Sequence, residues 1–332
     1  MKAGSISVLG AGSWGTALAI LLSQKGKTCC LWAHNRDHIQ RLASDRSNQR
    51  YLADIHFPDS LILEDNLEQV IADSEIILIS VPSHAFRETL KNIKPFLNPG
   101  QYIAWASKGL EANSHKLLSQ ILSEELGDQI PFAVISGPTF AREVATGLPT
   151  AVTVASNNDE FAKKLADRLH TDTFRAYTSS DVIGVQIGGA VKNVLAIAAG
   201  IADGLGFGAN TRTALITRGL AELSRLGHQL NAEATTFMGL AGLGDLVLTC
   251  TDDQSRNRRF GKALASGSNP EQAFADIGQV VEGALTAKVI HEFSAELNVD
   301  MPICEQVYRV IYEGLSPKQA VTELLERRQK AE

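Results

Sequence analysis

Ile6-Ser7-Val8-Leu9-Gly10-Ala11-Gly12-Ser13-Trp14-Gly15 decides the fold. An apolar, β-branched run enters G-x-G-x-x-G, and Thr16 to Lys25 then shows helical spacing, with Ala17, Leu18, Leu21 and Leu22 on one face. Strand, glycine turn and helix in that order describe a dinucleotide-binding βα unit. Gly10 permits the tight turn, Gly12 lets backbone approach a pyrophosphate, and Gly15 brings the helix close to the sheet. The N–H groups of the helix start have no partner inside the helix and face the anion.

Outward from this unit, Thr28 to Trp32 reads as a second strand ending in Ala33-His34-Asn35-Arg36. NAD-preferring folds place an acid here for the ribose 2′-hydroxyl, whereas His34 and Arg36 suit a 2′-phosphate and favour NADPH over NADH; the alternative is that both are solvated loop residues. Tyr51 to Phe57 reads as loop, and Leu61 to Leu63 as a short strand before a helix through Val70. Glu75 to Val81 is the near-continuous apolar run of a parallel strand covered on both faces, stopped by Pro82-Ser83. A helix to about Phe96, a strand Tyr102 to Ala106 ending at Ser107-Lys108-Gly109, a helix Ser114 to Leu126 and a strand Phe132 to Ile135 ending at Ser136-Gly137-Pro138 follow. The alternation predicts an α/β, Rossmann-like, doubly wound parallel sheet with right-handed crossovers. Gly10, Ser83, Lys108 and Gly137 all follow the carboxyl ends of strands, where such sheets bind ligands.

Thr150 to Ala155 and Thr173 to Tyr177 read as two edge strands flanking a charged helix. From Asp181 only helical patterns remain: 182–201, 214–226, 233–238, 257–265, 285–297, 304–312 and 317–326. The chain is therefore expected to comprise a dinucleotide-binding domain over residues 1–180 and an all-α C-terminal domain over 181–332. No low-complexity linker separates them and no internal repeat is visible.

Bulk properties narrow the function classes. A chain of 332 residues, 44% apolar and 20% charged, has the composition of a globular protein with room for two domains. With 31 Lys+Arg against 37 Asp+Glu, its net charge of −6 offers no general attraction to nucleic acid or anionic membrane, so an anionic substrate needs a local basic cluster. Cys29, Cys30, Cys250 and Cys304 form no C-x-x-C pair and read as reduced thiols of a cytoplasmic protein, without a disulfide or a metal site. The N-terminal apolar stretch contains the glycine motif and so belongs to the fold, and the apolar run Val194 to Ala202 is too short to span a bilayer.

Three clusters in the second half could carry chemistry. In Gly188-Gly189-Ala190-Val191-Lys192-Asn193-Val194 a single ammonium interrupts small and apolar residues. The glycines signal close approach of backbone or ligand, and desolvation would lower the lysine pKa into the range useful for proton transfer; the alternative is a lysine snorkelling to the surface. In Gly239-Leu240-Ala241-Gly242-Leu243-Gly244-Asp245 a glycine turn delivers one carboxylate, either as a partner that orients Lys192 or as a helix N-cap. Ser255-Arg256-Asn257-Arg258-Arg259 opens a helix with Ser255 as cap and cations at the positive end of the dipole, an arrangement that a bound anion would stabilise. Arg256 and Asn257 thus read as a phosphate clamp, with Arg258 and Arg259 solvated or paired; the alternative is a basic surface turn. Gln279-Val280-Val281-Glu282-Gly283 reads as a loop. No Ser/His/Asp triad, glycosidase carboxylate pair or Walker loop emerges.

Together these segments, with Ser107-Lys108-Gly109-Leu110-Glu111, Ser136-Gly137-Pro138-Thr139-Phe140-Ala141 and Val281-Glu282-Gly283, resemble the bacterial type of NAD(P)-dependent glycerol-3-phosphate dehydrogenase, almost over the full chain. The resemblance implies a Rossmann-like domain, an all-α domain and a cleft between them. It implies Lys192 as proton acceptor in glycerol 3-phosphate oxidation and donor in dihydroxyacetone phosphate reduction, supported by Asp245. Lys108, Gly137, Thr139, Lys192, Asp245, Ser255, Arg256 and Asn257 match substrate positions. Ser13, Trp14, His34, Lys108, Ala141, Arg256, Val280 and Glu282 match cofactor positions, beside Gly10, Gly12 and Gly15 of the turn; the position of His34 varies within the family. A homodimer and a supply of glycerol 3-phosphate for phospholipids are further implications. The alternatives are a related two-domain hydroxyacid dehydrogenase with a carboxylate substrate, and a non-catalytic protein that senses NADPH.

Overall fold

The computed structural model describes residues 5–24 and 27–327. Its contacts separate two compact units, one of residues 1–107 with 118–182 and the other of residues 108–117 with 183–332. Each is built around its own apolar core.

The first unit holds strands β1 (Ile6–Leu9), β2 (Cys29–Trp32), β3 (Ser47–Asn48), β4 (Leu52–His56), β5 (Leu61–Glu64), β6 (Ile76–Ile79), β7 (Tyr102–Trp105), β8 (Phe132–Ser136), β9 (Thr150–Ser156) and β10 (Phe174–Ser179). Its helices are α1 (Ser13–Leu22), α2 (Arg36–Asp45), α3 (Leu67–Asp73), α4 (Phe86–Ile93), α5 (Leu118–Leu126), α6 (Ala141–Ala145) and α7 (Asp159–Leu169). Eight strands form one sheet in the order β10-β9-β8-β7-β6-β1-β2-β5. β1 lies in parallel register between β2 and β6, with Ile6 opposite both Cys29 and Ile76. Every residue of β1 and β6 is buried, as expected of parallel strands covered on both faces.

The expected α/β sheet is present, with four local differences. β9 pairs antiparallel to β8, so β9 and β10 run against the other six strands of the sheet. Tyr51 to Phe57, expected as loop, contains β4, which pairs antiparallel with β3. Asp54 there takes a left-handed conformation, φ 65°, so a polar break hides the strand pattern while Leu52, Ile55 and Phe57 are buried. The helix expected from Ser114 begins only at Leu118, because His115 is left-handed (φ 56°) and Leu110 bridges Leu117. α1 ends at Leu22, and Lys25, the last residue of its expected pattern, lies outside the described residues.

The second unit contains α8 (Val182–Gly204), α9 (Ala209–Gln229), α10 (Ala234–Phe237), a π-turn (Leu240–Gly244), α11 (Asp245–Thr251), α12 (Arg256–Ala265), α13 (Pro270–Ile277), α14 (Glu282–Glu296), α15 (Pro302–Tyr312) and α16 (Pro317–Leu325). The sequence pattern missed α11 and α13. Residues 184–202 of α8 are all buried. By length and composition its 23 residues could cross a bilayer, unlike the shorter apolar run read from the sequence, but 94% of its most apolar window is buried inside the protein. α8 is the core helix of this unit, and glycines let neighbours reach its backbone. A Cβ on Gly200 would stand 2.0 Å from the Arg258 carbonyl oxygen of α12.

Candidate active site

The glycine turn lies at the carboxyl end of β1. Gly10 takes φ 114°, and a Cβ there would stand 2.5 Å from the Ser80 carbonyl oxygen, so no other residue fits without displacement. A Cβ on Gly15 would fall 1.9 Å from the Gly10 oxygen, which is how α1 starts so close to the turn. At Gly12, by contrast, a Cβ would meet nothing within 4 Å. Here the open side of the turn is accessible to a phosphate group. The first turn of α1 carries no acidic residue and no side-chain cap, so neither offsets the dipole or satisfies the N–H groups at this end. The indole Nε1 of Trp14 is buried with no partner among the described residues. These features fit a dinucleotide.

His34 is exposed beyond β2, and Arg36 next to it pairs with Asp65 at 2.6 Å. Gly137, at the end of β8, has φ 153°, and its missing Cβ leaves space 3.0 Å from Val152 Cα. Its carbonyl accepts from Thr139 Oγ1 at 3.1 Å. Ala141 opens α6, which packs on α1.

The second unit brings Lys108, Lys192 and Asp245 into one contact network. Asp245, fully buried, is the first residue of α11, delivered by the π-turn. Its carboxylate does not cap the helix. One oxygen accepts from Lys192 Nζ and the other from Lys108 Nζ at 2.7 Å. Lys192 is 5% exposed, so it does not snorkel. Its Nζ also donates to Thr249 Oγ1 at 2.9 Å, and that hydroxyl donates to the Asp245 carbonyl at 2.6 Å. Burial lowers the Lys192 pKa to about 8, against the opposing pull of Asp245 and with the help of Lys108. A buried ammonium that loses its proton near pH 8, oriented by a carboxylate, is equipped for acid-base work.

The start of α12 completes the arrangement. Ser255 Oγ caps it by accepting from Arg258 N at 3.2 Å. Arg258 is buried on Asp203, to which Nε and Nη2 donate at 3.0 and 2.6 Å, and it also pairs with Asp253; Arg259 is exposed. Arg256 keeps a half-buried side chain whose Nη1 donates to the Val280 carbonyl at 3.1 Å. Asn257 Nδ2 donates to Asn193 Oδ1 at 2.9 Å, and its Oδ1 accepts from Gly283 N at 2.9 Å. A buried amide chain thus links the residue after Lys192 to the start of α12 and to the start of α14. The Gln279–Gly283 segment, expected as loop, enters that helix at Glu282. Thr249 and the role of Asn193 escaped sequence reasoning, since a threonine in a helix and an asparagine beside a lysine carry no spacing signal.

Residues 5–162 match the family described as NAD-dependent glycerol-3-phosphate dehydrogenase N-terminus, and residues 181–322 match its C-terminus. The chain belongs to this family. Among NAD-dependent glycerol-3-phosphate dehydrogenases, it is 57% identical over 329 residues to "Glycerol-3-phosphate dehydrogenase [NAD(P)+]" of Pseudoalteromonas translucida, covering 99% of this chain and 98% of the relative. The crystal structure of the glycerol-3-phosphate dehydrogenase of Coxiella burnetii is similar with a TM-score of 0.95 at 49% identity, covering 97% and 99% of the two chains. The Saccharomyces cerevisiae glycerol-3-phosphate dehydrogenase has a TM-score of 0.84 at 27% identity, covering the same shares.

Proposed function

We propose that the chain is an NAD(P)-dependent sn-glycerol-3-phosphate dehydrogenase that reversibly reduces dihydroxyacetone phosphate to sn-glycerol 3-phosphate, with Lys192 as proton donor in reduction and acceptor in oxidation. The observation that carries the reading is the buried Lys192 ammonium, its pKa lowered to about 8, held on the fully buried Asp245 within a chain of this family. A nicotinamide held beside these residues would supply the hydride chemistry. Lys192 gives its Nζ proton to the substrate C2 oxygen as negative charge develops there, and Lys108 adds a second cation to the same electrostatic environment. Asp245 orients both ammonium groups. Arg256, Asn257 and Ser255 hold the substrate phosphate at the start of α12, and Gly137 and Thr139 complete the substrate contacts. Binding energy from that remote phosphate orients C2 for reaction.

Gly10, Gly12, Ser13, Trp14, Gly15, His34 and Ala141, with Lys108, Arg256, Val280 and Glu282, bind the nucleotide. NADPH is favoured, because β2 ends in Ala33-His34-Asn35-Arg36 without an acid for a 2′-hydroxyl. Residues 1–180 act as the dinucleotide-binding domain, apart from 108–117, which group with the second unit, and 181–332 as the substrate and catalytic domain of a cytoplasmic homodimer that supplies glycerol 3-phosphate for phospholipids. The test is a steady-state assay of dihydroxyacetone phosphate with NADPH and NADH in parallel, repeated with Lys192→Ala. Substrate-dependent loss of reduced-nucleotide absorbance, with kcat collapsing in the variant and nucleotide binding retained, is expected. Near-normal turnover by Lys192→Ala removes the proton-transfer role, and no turnover by the wild type removes the reading.

A further inference from the structure

The glycine turn is held from behind. Asn48, the last residue of β3, is fully buried, and its Nδ2 donates to the Ala11 carbonyl at 3.1 Å and to Thr16 Oγ1 at 2.8 Å. His38 of α2 reaches the same carbonyl, with Nε2 at 3.3 Å from the Ala11 oxygen. A carbonyl only accepts, so these contacts fix the Asn48 amide orientation and place the ring hydrogen of His38 on Nε2. The His38 ring is itself set edge-on against Tyr51, 5.9 Å between centroids at 83°.

The consequence follows from the peptide plane. C=O and N–H of a trans peptide point in opposite directions, and no cis peptide occurs among the described residues. Drawing the Ala11 oxygen inward onto Asn48 and His38 therefore aims the Gly12 N–H outward. Space beside Gly12 is open, since a Cβ there would meet nothing within 4 Å. The Asn48 Oδ1 has no partner among the described residues. A buried amide kept with an unsatisfied oxygen is explained by what its two hydrogens do: one holds the Ala11 peptide and the other the first turn of α1 through Thr16.

We propose that Asn48 and His38 are positioning residues for dinucleotide binding, orienting the Ala11-Gly12 peptide so that its N–H is presented to the pyrophosphate. The inference rests on the nucleotide binding at the glycine turn as proposed above. Both residues act through the peptide.

The test is a fluorescence titration of the binary NADPH complex, with ADP-ribose and adenosine as competitors that do and do not carry a pyrophosphate. Asn48→Leu keeps the size and removes both donors; His38→Phe keeps the ring and removes one, and His38→Gln returns a donor. Asn48→Leu is expected to raise the Kd of NADPH and ADP-ribose at least tenfold while changing that of adenosine less than twofold. His38→Phe is expected to raise them severalfold, and His38→Gln to bring them back within twofold of wild type. If Asn48→Leu does not fold, the two His38 variants decide. Kd values for ADP-ribose within twofold of wild type, or equal losses for ADP-ribose and adenosine, overturn the proposal. Failure of the wild type to bind NADPH overturns the functional reading itself and this inference with it.

Discussion

Gly188 of α8 and Ala241 of the π-turn are in backbone contact: a Cβ on Gly188 would stand 2.3 Å from the Ala241 carbonyl oxygen. Gly188 lies four residues before Lys192 and so on the same helical face, while the π-turn hands the chain to Asp245. The obstacle is backbone, which cannot swing aside. Gly188→Ala should therefore push the turn off α8 and carry Asp245 away from Lys192. The expected cost is about 1–3 kcal/mol of stability from overpacking. A carboxylate displaced by about 1 Å should lower kcat by up to ~10²-fold. Melting curves and steady-state kinetics check both, and a variant with wild-type kcat would sink the link between this contact and the acid-base pair.

Lys192 has its pKa lowered to about 8, chiefly by burial, with Asp245 pulling it up and Lys108 pushing it down. Reduction needs the proton on Nζ and oxidation needs it absent. kcat/KM for dihydroxyacetone phosphate should therefore fall as pH rises through about 8, and kcat/KM for glycerol 3-phosphate should rise over the same range. Asp245→Asn should move that limb to lower pH and Lys108→Met to higher pH, each by roughly one unit or more. Profiles that shift in the same direction in both variants would contradict the arrangement of two ammonium groups on one carboxylate.

How far these features were legible depends on the range of the interaction that creates them. The β1-turn-α1 unit is local: Gly10 and Gly15 have steric reasons in Ser80 and in each other while Gly12 keeps the turn open, so the motif spoke clearly. Lys192 and Asp245 stood out because a charge among glycines and apolar residues is conspicuous. Arg258 did not. It looks like its neighbours in Arg256-Asn257-Arg258-Arg259, and only Asp203, 55 residues away, separates it from them. Asn48 was equally silent, because its partner carbonyl on Ala11 is 37 residues distant and has no side-chain signature. β4 was hidden by a left-handed Asp54, and the late start of α5 by a left-handed His115, conformations that residue type alone does not announce.

Arg256 and Arg258 should fail in different ways. Arg256 is half-buried with Nη1 on the Val280 carbonyl, whereas Arg258 is buried on Asp203 and Asp253. Arg256→Ala should lower kcat/KM for dihydroxyacetone phosphate by about 2–5 kcal/mol equivalent with little change in melting temperature. Arg256→Lys should recover only part of this, since an ammonium lacks the guanidinium fork. Arg258→Ala removes one of the two guanidinium partners of Asp203, Arg212 Nη1 staying at 2.9 Å, and should cost about 1–3 kcal/mol of stability. Unchanged kcat/KM in Arg256→Ala would remove it from phosphate recognition.

Glu222 of α9 gives a stability signature separate from catalysis. It is 1% exposed, and its carboxylate accepts from Ile303 N at 2.6 Å and Cys304 N at 3.2 Å, at the start of α15. Burial outweighs those two bonds and raises its pKa from 4.5 to about 7. Below about pH 4.5 the group is protonated in folded and unfolded chains alike, and its favourable contribution is fully present. Between about 4.5 and 7 the unfolded chain releases the proton while the folded one keeps it, so stability falls as pH rises. The slope approaches 1.4 kcal/mol per pH unit, about 3 kcal/mol in all. Glu222→Gln has no proton to lose. Its denaturation free energy should therefore lack this component of the slope, although it gives up one of the two acceptors and starts about 1 kcal/mol lower at acid pH. Denaturant titrations of both proteins at intervals from pH 4.5 to 7 make the comparison, and parallel slopes would place the titrating group elsewhere.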